Sequence, residues 1–357
     1  MIKRFDLGGA ENYVCDLANK LAELNHKVWI ASPKGRKLQE LSPAVNHLSL
    51  SYQDILSLFL SISIAKFVRR EKIDIIHAHQ RLPIKIGCLV SFTTGVPVVA
   101  TVHGQLRYDL RSRFVRYALH RIIVISKYYR QRASNDFLLR PKIVYIPNGV
   151  AGKLIKASEN HQFKLVYGSR LDKSHTEILT TIISRVMPQL LSLYPTVELE
   201  VAGDGYNLTK LRRVASKVNA REGREVVKFL GYKGDISPAI SSGRLTLGVG
   251  RVALESIALG IPVISLNHAH MGSPLSFSNF YHLREKNFVS VDNLPPQPEG
   301  IIEAIKTVLD NHEFYKNETK KMQQIVLKEH KLENVTEQIL NVYKETIAFP
   351  HPRIYLR

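Results

Sequence analysis

Short, uninterrupted runs of β-branched and aliphatic residues alternate with helical segments along almost the whole chain, and this alternation limits the possible folds more than any other feature. In the first half, the predicted strands cover residues 28–31, 74–78, 97–102, 121–125 and 142–146. Helices predicted over residues 10–25, 55–70 and 83–94, and a polar helix from Ser126, separate them. Strands that are apolar on both faces are typical of a parallel sheet covered by helices on both sides.

The same alternation begins again after residue 150. Pro147-Asn148-Gly149 is a strong turn sequence, and residues 151–162 are polar without periodicity, so we place a domain boundary there. Strands over residues 163–167, 197–201, 226–229 and 263–266 predict a second sheet. We expect two doubly wound α/β domains, residues 1–150 and 151–357, with the last helix returning to the first domain. Ligands of such domains bind at the carboxyl ends of the strands.

An excess of basic residues indicates an anionic partner. The chain has 50 Lys and Arg against 31 Asp and Glu, a formal net charge of +19. Residues 1–150 hold 23 of the basic and 10 of the acidic residues, so the first half is the more basic. The segment 107–142, which is rich in arginine, is a candidate contact surface. We predict that an anionic membrane contacts its basic, aromatic-containing part, residues 107–129, and a solvated basic face is the alternative. Its arginines include Arg107, Arg111, Arg113, Arg116 and Arg121.

The sequence predicts a cytoplasmic protein that contacts the inner face of the cytoplasmic membrane peripherally. No secretory signal precedes Leu7. The longest apolar stretch, residues 55–65, is well short of the ~20 residues of a membrane-spanning helix. Cys15 and Cys88 have no C-x-x-C spacing, so we expect buried packing rather than a disulfide framework or a cysteine metal site.

Glycines open two of the predicted helices. Gly8-Gly9 precedes the first helix, and Gly248-Val249-Gly250 precedes a helix that starts with Arg251 and Val252. Glycine lets a ligand approach the backbone, and the unpaired N–H groups of a helix N-terminus attract an anion. Glu255, one turn into the second helix, is suited to accept hydrogen bonds from ribose hydroxyls. The alternative interpretations are a tight turn for the glycines and a solvated carboxylate for Glu255.

Titratable side chains follow two other strands. His103 lies at the carboxyl end of the strand 97–102, where sites of α/β proteins are built, although a core histidine is an equal alternative. His77 and His79 share one face of a strand, but no third ligand has a recognisable spacing, so we predict no metal site.

Cations follow the first strand of the second domain. Arg170 ends that strand, and Lys173 and His175 come shortly after it. An arginine fork in this position could neutralise a diphosphate without a metal ion, and a surface salt bridge is the competing interpretation.

Several short motifs occur in an order that resembles the retaining glycosyltransferases of family four, which have the GT-B fold. The resemblance covers residues 6–310, and no single motif decides it. The motifs are Gly8-Gly9-Ala10-Glu11, residues 74–79, Thr101-Val102-His103-Gly104, Pro147-Asn148-Gly149, Ser169-Arg170-Leu171-Asp172, Gly203-Asp204-Gly205, Phe229-Leu230-Gly231 and Leu254-Glu255-Ser256. The resemblance implies two Rossmann-like domains facing across a cleft, the first on the acceptor side and the second binding the nucleotide sugar.

The resemblance also implies roles for individual residues. Glu255 would bind the donor ribose, His103 would contact the donor sugar, and both are the candidate catalytic residues. Gly9 would contact the diphosphate or the reacting region through its amide, Arg170 would contact the diphosphate, and Gly8 is a candidate donor-binding residue. The remaining candidate donor-binding residues are Lys173, His175, Gly248, Gly250, Arg251 and Val252.

Three features depart from the family pattern. The family commonly has two glutamates separated by seven residues, and the first of these positions is Leu247. The diphosphate lysine expected five residues after Arg170 is replaced by His175, so Lys173 would have to reach in. Only seven residues precede Gly8, which leaves little of the strand that normally leads to this loop.

Together these observations predict an enzyme that moves a sugar from a UDP- or GDP-sugar to a lipid-linked or saccharide acceptor in cell-surface polysaccharide or glycolipid synthesis. The resemblance implies no metal and no cofactor beyond this co-substrate. A non-catalytic donor-binding or scaffold protein and a sugar-nucleotide epimerase are the alternatives. Nucleic-acid binding would use the net charge, but the sequence has no recognised module for it.

Overall fold

A computed structural model of the protein describes residues 1–52, 57–104, 110, 112–150, 163–290 and 295–349. The chain divides into two compact units. Unit 1 consists of residues 1–6, 10–149 and the C-terminal segment from Leu332, and unit 2 consists of residues 7–9 and 150–331. The C-terminal helix is therefore part of unit 1, although it follows unit 2 in the sequence.

The strands of unit 1 form two parallel sheets rather than one. Four strands follow one another in the larger sheet, in the order β3-β4-β5-β6, and β1 pairs with β2 in the smaller one. The strands are β1 (Val28–Ser32), β2 (Val45–Ser49), β3 (Ile76–His79), β4 (Val98–Val102), β5 (Arg121–Val124) and β6 (Ile143–Tyr145).

Helices cover both faces of these sheets, which explains the continuous apolar strands. One buried cluster joins the sheet to α2 and α3, and a second joins it to α1 and the C-terminal helix. The helices are α1 (Gly9–Glu23), α2 (Ser57–Arg70), α3 (Arg81–Thr94), α4 (Arg113–Ala118), α5 (Lys127–Ala133) and the C-terminal α14 (Leu332–Ala348), with 3-10 turns at Arg36–Glu40 and Arg140–Lys142.

Unit 2 contains one six-stranded sheet in the order β12-β11-β10-β7-β8-β9, with only β12 antiparallel. Read from β9, this is the 3-2-1-4-5-6 order of dinucleotide-binding folds, and the order reverses between β7 and β10. The strands are β7 (Lys164–Gly168), β8 (Glu198–Ala202), β9 (Val227–Gly231), β10 (Leu245–Gly248), β11 (Val263–Leu266) and β12 (Met271–Pro274).

The helices of unit 2 pack their apolar faces on this sheet around a large aliphatic core. The first of them continues through a π-helical turn, Ile182–Val186, into the next. The helices are α6 (Lys173–Thr181), α7 (Met187–Leu193), α8 (Leu208–Glu222), α9 (Ser237–Ser242), α10 (Arg251–Ala258), α11 (Phe277–Glu285), α12 (Pro298–Asp310) and α13 (His312–Glu329).

The arginines of the candidate contact surface 107–142 differ in exposure. Arg121 is buried at the start of β5 and donates to the carbonyl of His120 at 3.0 Å. Arg116 pairs with Asp136. Arg107 and Arg111 lie outside the described residues, as does the polar segment 151–162, and Arg113 is exposed on α4. Cys15 and Cys88 are buried, as predicted, and neither forms a disulfide within the described part of the chain.

The turn Gly203-Asp204-Gly205 is structural, because two backbone segments meet there. A Cβ on Gly203 would lie 1.9 Å from the carbonyl oxygen of Ser169, and one on Gly205 would lie 2.5 Å from that of Leu171. These glycines let the loops after β7 and β8 lie side by side.

We expect Gly203→Ala to lower the free energy of unfolding of unit 2 by about 3 kcal/mol or more, because the clash involves backbone rather than a movable side chain. Gly300→Ala in α12 is the matched control, since its Cβ would meet nothing within 4 Å. That change should stabilise the helix by about 0.5–1 kcal/mol. Denaturant unfolding followed by circular dichroism measures both, and equal stabilities for the two variants would contradict the account of this turn.

Candidate functional site

The reversal of strand order in unit 2 brings three of its loops to one edge of the sheet. The neighbouring strands β7 and β10 end at Gly168 and Gly248, and β11 ends beside β10. At such a reversal the connections leave the sheet in opposite directions, which opens a crevice where α/β proteins bind ligands. The candidate residues Arg170, His175 and Gly248 to Glu255 all follow these strands directly.

The N-terminus of α10 lies at this edge. Gly250, the residue before the helix, has a φ of 58° and makes no side-chain cap to the first turn. Gly250 accepts from Leu254 N–H, so the N–H groups of Arg251, Val252 and Ala253 have no acceptor within the helix. Such N–H groups are suited to bind an anion.

Close packing holds α10 against the two central strands. A Cβ on Gly248 would lie 2.7 Å from Val252 Cγ1, and one on Gly168 would lie 3.2 Å from Val252 Cγ2. The Val252 side chain therefore packs against the strand ends, which leaves only its backbone N–H for a ligand.

Glu255 is not a freely solvated carboxylate. Its side chain is 14% exposed, and Arg251, one turn earlier on the same helix, donates from Nε to Glu255 Oε1 at 2.6 Å. The pairing fixes one carboxylate oxygen. A carboxylate held in this way at a helix start is a suitable acceptor for a diol such as ribose.

The cations after β7 differ in how firmly they are held. Asp172 caps α6 and accepts from the ring of His175 at 2.6 Å and from its backbone N–H at 3.2 Å. Burial opposes ionisation of Asp172, but these hydrogen bonds lower its pKa to about 2. His175 is thus held beside a carboxylate, whereas the side chain of Arg170 is 49% exposed and lies 4.0 Å from Asp172. Lys173 is exposed in the first turn of α6.

Sequence reasoning missed His268 at this edge. It follows β11 directly, and its ring lies 5.4 Å from that of His175 in an edge-on contact. Burial and the charge of His175 lower the pKa of His268. Its position after a strand was the available signal.

Leu247 lies inside β10, fully buried between β7 and β11. At the position where the family pattern has its first glutamate, the chain thus has a core residue of the sheet. The only carboxylate of that pair is Glu255.

In unit 1, His103 is the end of a histidine chain rather than an isolated side chain. His103 Nε2 lies 3.0 Å from His79 Nδ1, and the His79 ring lies 4.3 Å from that of His77. His77 in turn contacts Thr101 Oγ1 at 2.7 Å and the hydroxyl of Tyr343 at 2.5 Å. His103 is thus the third member of a histidine cluster with His77 and His79, and sequence spacing did not reveal this cluster.

These histidines are held neutral. Burial lowers the pKa of His103 to about 4, and burial together with neighbouring positive charge lowers the pKa of His77 and His79 well below the ordinary value. His103 is therefore uncharged near neutral pH and can form hydrogen bonds as a neutral ring. No group of three His, Cys, Asp or Glu side chains among the described residues has the arrangement of a metal site.

Gly9 begins α1 at a position that nothing in the described chain requires to be glycine. Its φ is not positive, and a Cβ there would meet no atom within 4 Å. A glycine without a conformational or packing reason is consistent with close approach by a ligand.

Comparison with known families identifies the N-terminal part of the chain. Residues 7–151 match the model of Glycosyltransferase Family 4. This match covers 145 of the 357 residues and shows the family likeness for the N-terminal part of the chain. The resemblance inferred from the motifs is therefore confirmed.

Curated relatives are distant. The chain is 22% identical to the phosphatidylinositol N-acetylglucosaminyltransferase gpi3 subunit of Schizosaccharomyces pombe, over 72% of this chain and 62% of that protein. It is 20% identical to the N-acetyl-alpha-D-glucosaminyl L-malate synthase of Bacillus anthracis, over 96% and 95%. It is 25% identical to the UDP-Gal:alpha-D-GlcNAc-diphosphoundecaprenol alpha-1,3-galactosyltransferase of Escherichia coli, over 61% and 61%. The chain thus spans less than two thirds of the length of the first and third relatives.

Solved structures support the fold of the chain. The crystal structure of HepE from Anabaena in complex with UDP and glucose has a TM-score of 0.73 at 17% identity, covering 96% of this chain and 98% of that one. The fold is GT-B, as predicted. None of the helices in the described part of the chain has the length and apolar character needed to cross a membrane.

The neutral histidines of unit 1 predict a pH dependence of stability. Their folded-state pKa values lie below the unfolded value of about 6.5, so they stay uncharged in the folded state. The contribution of these histidines to stability is complete above pH 6.5 and falls as the pH drops toward their folded pKa values, which are about 4 for His103 and well below the ordinary value for His79. The free energy of unfolding should fall by up to about 1.4 kcal/mol per pH unit for each histidine.

The variant His79→Gln should make the free energy of unfolding depend less steeply on pH between pH 6.5 and 5. The decrease in slope should correspond to about one proton and is measured by urea unfolding at each pH. His26→Gln is the matched control, because His26 is exposed on the same unit. A slope that stays the same in His79→Gln would show that the buried histidines do not govern acid stability.

Proposed function

We propose that the protein is a retaining glycosyltransferase that transfers a sugar from a nucleotide sugar to a lipid-linked or saccharide acceptor, for cell-surface polysaccharide or glycolipid synthesis. The observation that carries the donor assignment is the edge of the unit 2 sheet at β7 and β10. There the N-terminus of α10, the exposed Arg170 and the largely buried Glu255 lie on adjoining elements. This combination matches the anionic and hydroxyl groups of a nucleoside diphosphate.

Each group of the donor finds a chemically suitable partner in unit 2. The N–H groups of Arg251 to Ala253 and the guanidinium of Arg170 would bind the diphosphate, and Lys173 would add a third positive contribution. Glu255 would accept hydrogen bonds from the ribose hydroxyls. Arg251, bonded to Glu255 through Nε, positions that carboxylate and contributes positive charge beside it.

These partners also fit the chemistry of transfer. The bond between the sugar's anomeric carbon and the diphosphate breaks, the acceptor oxygen bonds to the same carbon, and negative charge develops on the departing diphosphate. Fixed donors placed where this charge develops lower the barrier, because they need no rearrangement during the reaction. In this proposal no metal ion is required, since Arg170, Lys173 and the helix N-terminus supply the positive charge.

His103 would act as a neutral hydrogen-bonding residue toward the donor sugar. Its pKa of about 4 leaves it uncharged near neutral pH, and His79 fixes one of its ring nitrogens. Gly9 would contribute its backbone N–H at the start of α1. Both roles rest on the family resemblance together with the geometry within each unit.

The proposed lipid-linked acceptor agrees with an exposed apolar surface on unit 1. Helix α3 packs against both α2 and α4, and these helices expose large apolar side chains to solvent. Phe92 is 79% exposed, and its ring lies 6.5 Å from that of Phe114. Arg113 lies beside Phe114 on α4. Two of the relatives are named for lipid acceptors, phosphatidylinositol and a diphosphoundecaprenol, whereas the third is named for L-malate. We propose that this surface contacts anionic lipid at the cytoplasmic face of the membrane.

Thermal-shift binding of UDP-, GDP- and ADP-sugars tests the donor site. One donor class should raise the Tm of the protein in proportion to the logarithm of its concentration. Glu255→Ala and Arg170→Ala should each weaken binding roughly 10- to 100-fold, because each removes a charged hydrogen-bonding partner.

The matched controls are Glu313→Ala and Arg213→Ala, which remove exposed charges of unit 2 far along the sequence from the site. Unchanged affinity in Glu255→Ala and Arg170→Ala would contradict the donor site. Donor binding without sugar transfer to any acceptor would favour the scaffold alternative, and conversion of the donor without acceptor would favour the epimerase.

Vesicle sedimentation tests the lipid contact. Arg113→Glu combined with Phe114→Ser should reduce binding to vesicles rich in phosphatidylglycerol roughly tenfold, since each surface cation contributes about 1 kcal/mol. Arg213→Glu combined with Tyr206→Ser on unit 2 should leave binding unchanged. Equal loss in both double variants would indicate a general effect of net charge, and no binding of the parent protein would rule out the lipid contact.

A further inference from the structure

The hydrogen bond between His79 and His103 joins two ring nitrogens and therefore couples the tautomers of the two rings. His79 Nδ1 lies 3.0 Å from His103 Nε2. A neutral imidazole has one N–H and one bare nitrogen, so only one of these two facing nitrogens carries a proton. The ring that donates across the bond has a bare nitrogen on its other side, and the ring that accepts has its N–H there.

The second nitrogen of His103 is the one left for a ligand. His103 follows β4 and is only partly buried, and within the described part of the chain no group bonds to its Nδ1. His79, at the end of β3, is 2% exposed. A ligand that bonds to the His103 ring must use Nδ1, because Nε2 faces His79. The tautomer of His103 determines whether Nδ1 offers this ligand a hydrogen or a lone pair.

The burial of His79 favours one of the two arrangements. If His103 donated, His79 would carry its proton on Nε2, and the described residues include no acceptor bonded to that atom. A buried N–H without an acceptor is rarer in folded proteins than a buried acceptor without a donor. With its proton on Nδ1, His79 instead donates to His103 Nε2. The proton of His103 then lies on Nδ1.

Neighbouring rings restrict the rotation of His79. His77, whose two ring nitrogens both bond to side chains of unit 1, has its ring 4.3 Å from that of His79. Tyr13 contacts the rings of His79 and His103 edge-on, at 5.7 and 4.9 Å between ring centres. Packing of this kind keeps Nδ1 of His79 toward His103, as a supporting residue must be held to direct another side chain.

The backbone that follows His79 is held in an unusual conformation. Gln80 has a φ of 67° and a ψ of 158°, a combination that ordinarily only glycine adopts. Its side-chain amide donates at 3.1 Å to the carboxylate of Glu11, which is buried in the first turn of α1. Such a conformation persists only where the surrounding structure determines it. The strand end that carries His79 is therefore fixed as well.

We propose that His79 is a positioning residue for the donor sugar: it donates from Nδ1 to His103 Nε2, so that His103 presents Nδ1–H to an oxygen of that sugar. The inference rests on the proposed function for the identity of the ligand, whereas the tautomer is a property of unit 1 alone. A fixed N–H favours a sugar with a hydroxyl oxygen at that place over a deoxy sugar, which would leave the N–H unpaired.

Two amide side chains at position 79 separate this role from a purely structural one. The amide of asparagine lies where His79 has Nδ1, whereas the amide of glutamine reaches the place of Nε2. His79→Asn should therefore keep a donor toward His103, and His79→Gln should lose it. His47→Gln is the matched control, because His47 is a hydrogen-bonded histidine of the same unit whose ring bonds to Ser32.

Nitrogen NMR of histidine-labelled protein without ligand measures the tautomer, and the signals missing in His103→Gln identify this ring. Near neutral pH, the proton of His103 should lie on Nδ1 in the parent protein, in His79→Asn and in His47→Gln. In His79→Gln the chemical shifts of its two nitrogens should move toward each other, because the tautomers mix. A proton on Nε2 in the parent protein, or an unchanged His103 spectrum in His79→Gln, would overturn the proposal.

Ligand binding connects the tautomer with the sugar. UDP-glucose, UDP-N-acetylglucosamine and GDP-mannose are each compared with their own nucleoside diphosphate. For a pair that binds the parent protein, His79→Gln should weaken binding of the nucleotide sugar roughly 5- to 10-fold and leave the Kd of the nucleoside diphosphate unchanged. His79→Asn should stay within about twofold of the parent for both ligands. Equal weakening of both ligands by His79→Gln, or weakening of neither, would contradict a role toward the sugar.

The two measurements distinguish failure of this inference from failure of the proposed function. If no nucleotide sugar binds the parent protein, the proposed function and the role toward a sugar both fail, and NMR still decides whether His79 fixes the tautomer. If a nucleotide sugar binds but His103 does not respond to His79→Gln, the inference fails and the proposed function stands. Circular dichroism confirms that each variant is folded. Should His79→Gln not fold, the spectrum of the parent protein still decides which ring donates.

Discussion

Parallel strand pairing between β7 and β10 is the constraint on which the candidate donor site depends. The pairing places Leu245, Thr246 and Leu247 against Leu165, Val166 and Tyr167, so the two strands end at the same level. The order of the sheet reverses at this pair, and Arg170 and the start of α10 therefore leave from adjoining strand ends. Close contact of Val252 with Gly168 and Gly248 fixes α10 against both strands. A bulkier residue at either glycine would move the helix N-terminus away from this edge.

Charge in the two units follows different physical rules. In unit 2 the candidate site holds its charges near solvent, with Arg170 half exposed and Glu255 paired with Arg251. In unit 1 the histidines are buried among aromatic and aliphatic side chains, including Tyr13, whose ring lies 4.9 Å from that of His103. Burial keeps them neutral. The first arrangement suits an anionic donor, and the second suits a hydrogen bond of fixed direction.

Much of the fold was predictable because buried parallel strands are apolar throughout. The strands β4, β5 and β11 were predicted within one residue of their ends for this reason. The strand β2 was not, since its sequence Val45–Ser49 is largely polar and partly exposed on the outer side of β1. Helix α11, with a mixed polar sequence, was also missed. Contacts that depend on register, such as the one between His79 and His103, have no counterpart in sequence spacing.

The candidate residues of unit 2 were recognisable as a set, whereas their partners were not. Glycine before a helix and an acid one turn later are local patterns, but the hydrogen bonds from Arg251 to Glu255 and from His175 to Asp172 depend on side-chain geometry.

The most direct measurement is a crystal structure of the protein soaked with a nucleoside diphosphate. The account predicts the diphosphate against the N–H groups of Arg251 to Ala253 and the ribose hydroxyls on Glu255. Ordered nucleotide at any other place in the molecule, with this edge of the sheet empty, would contradict it.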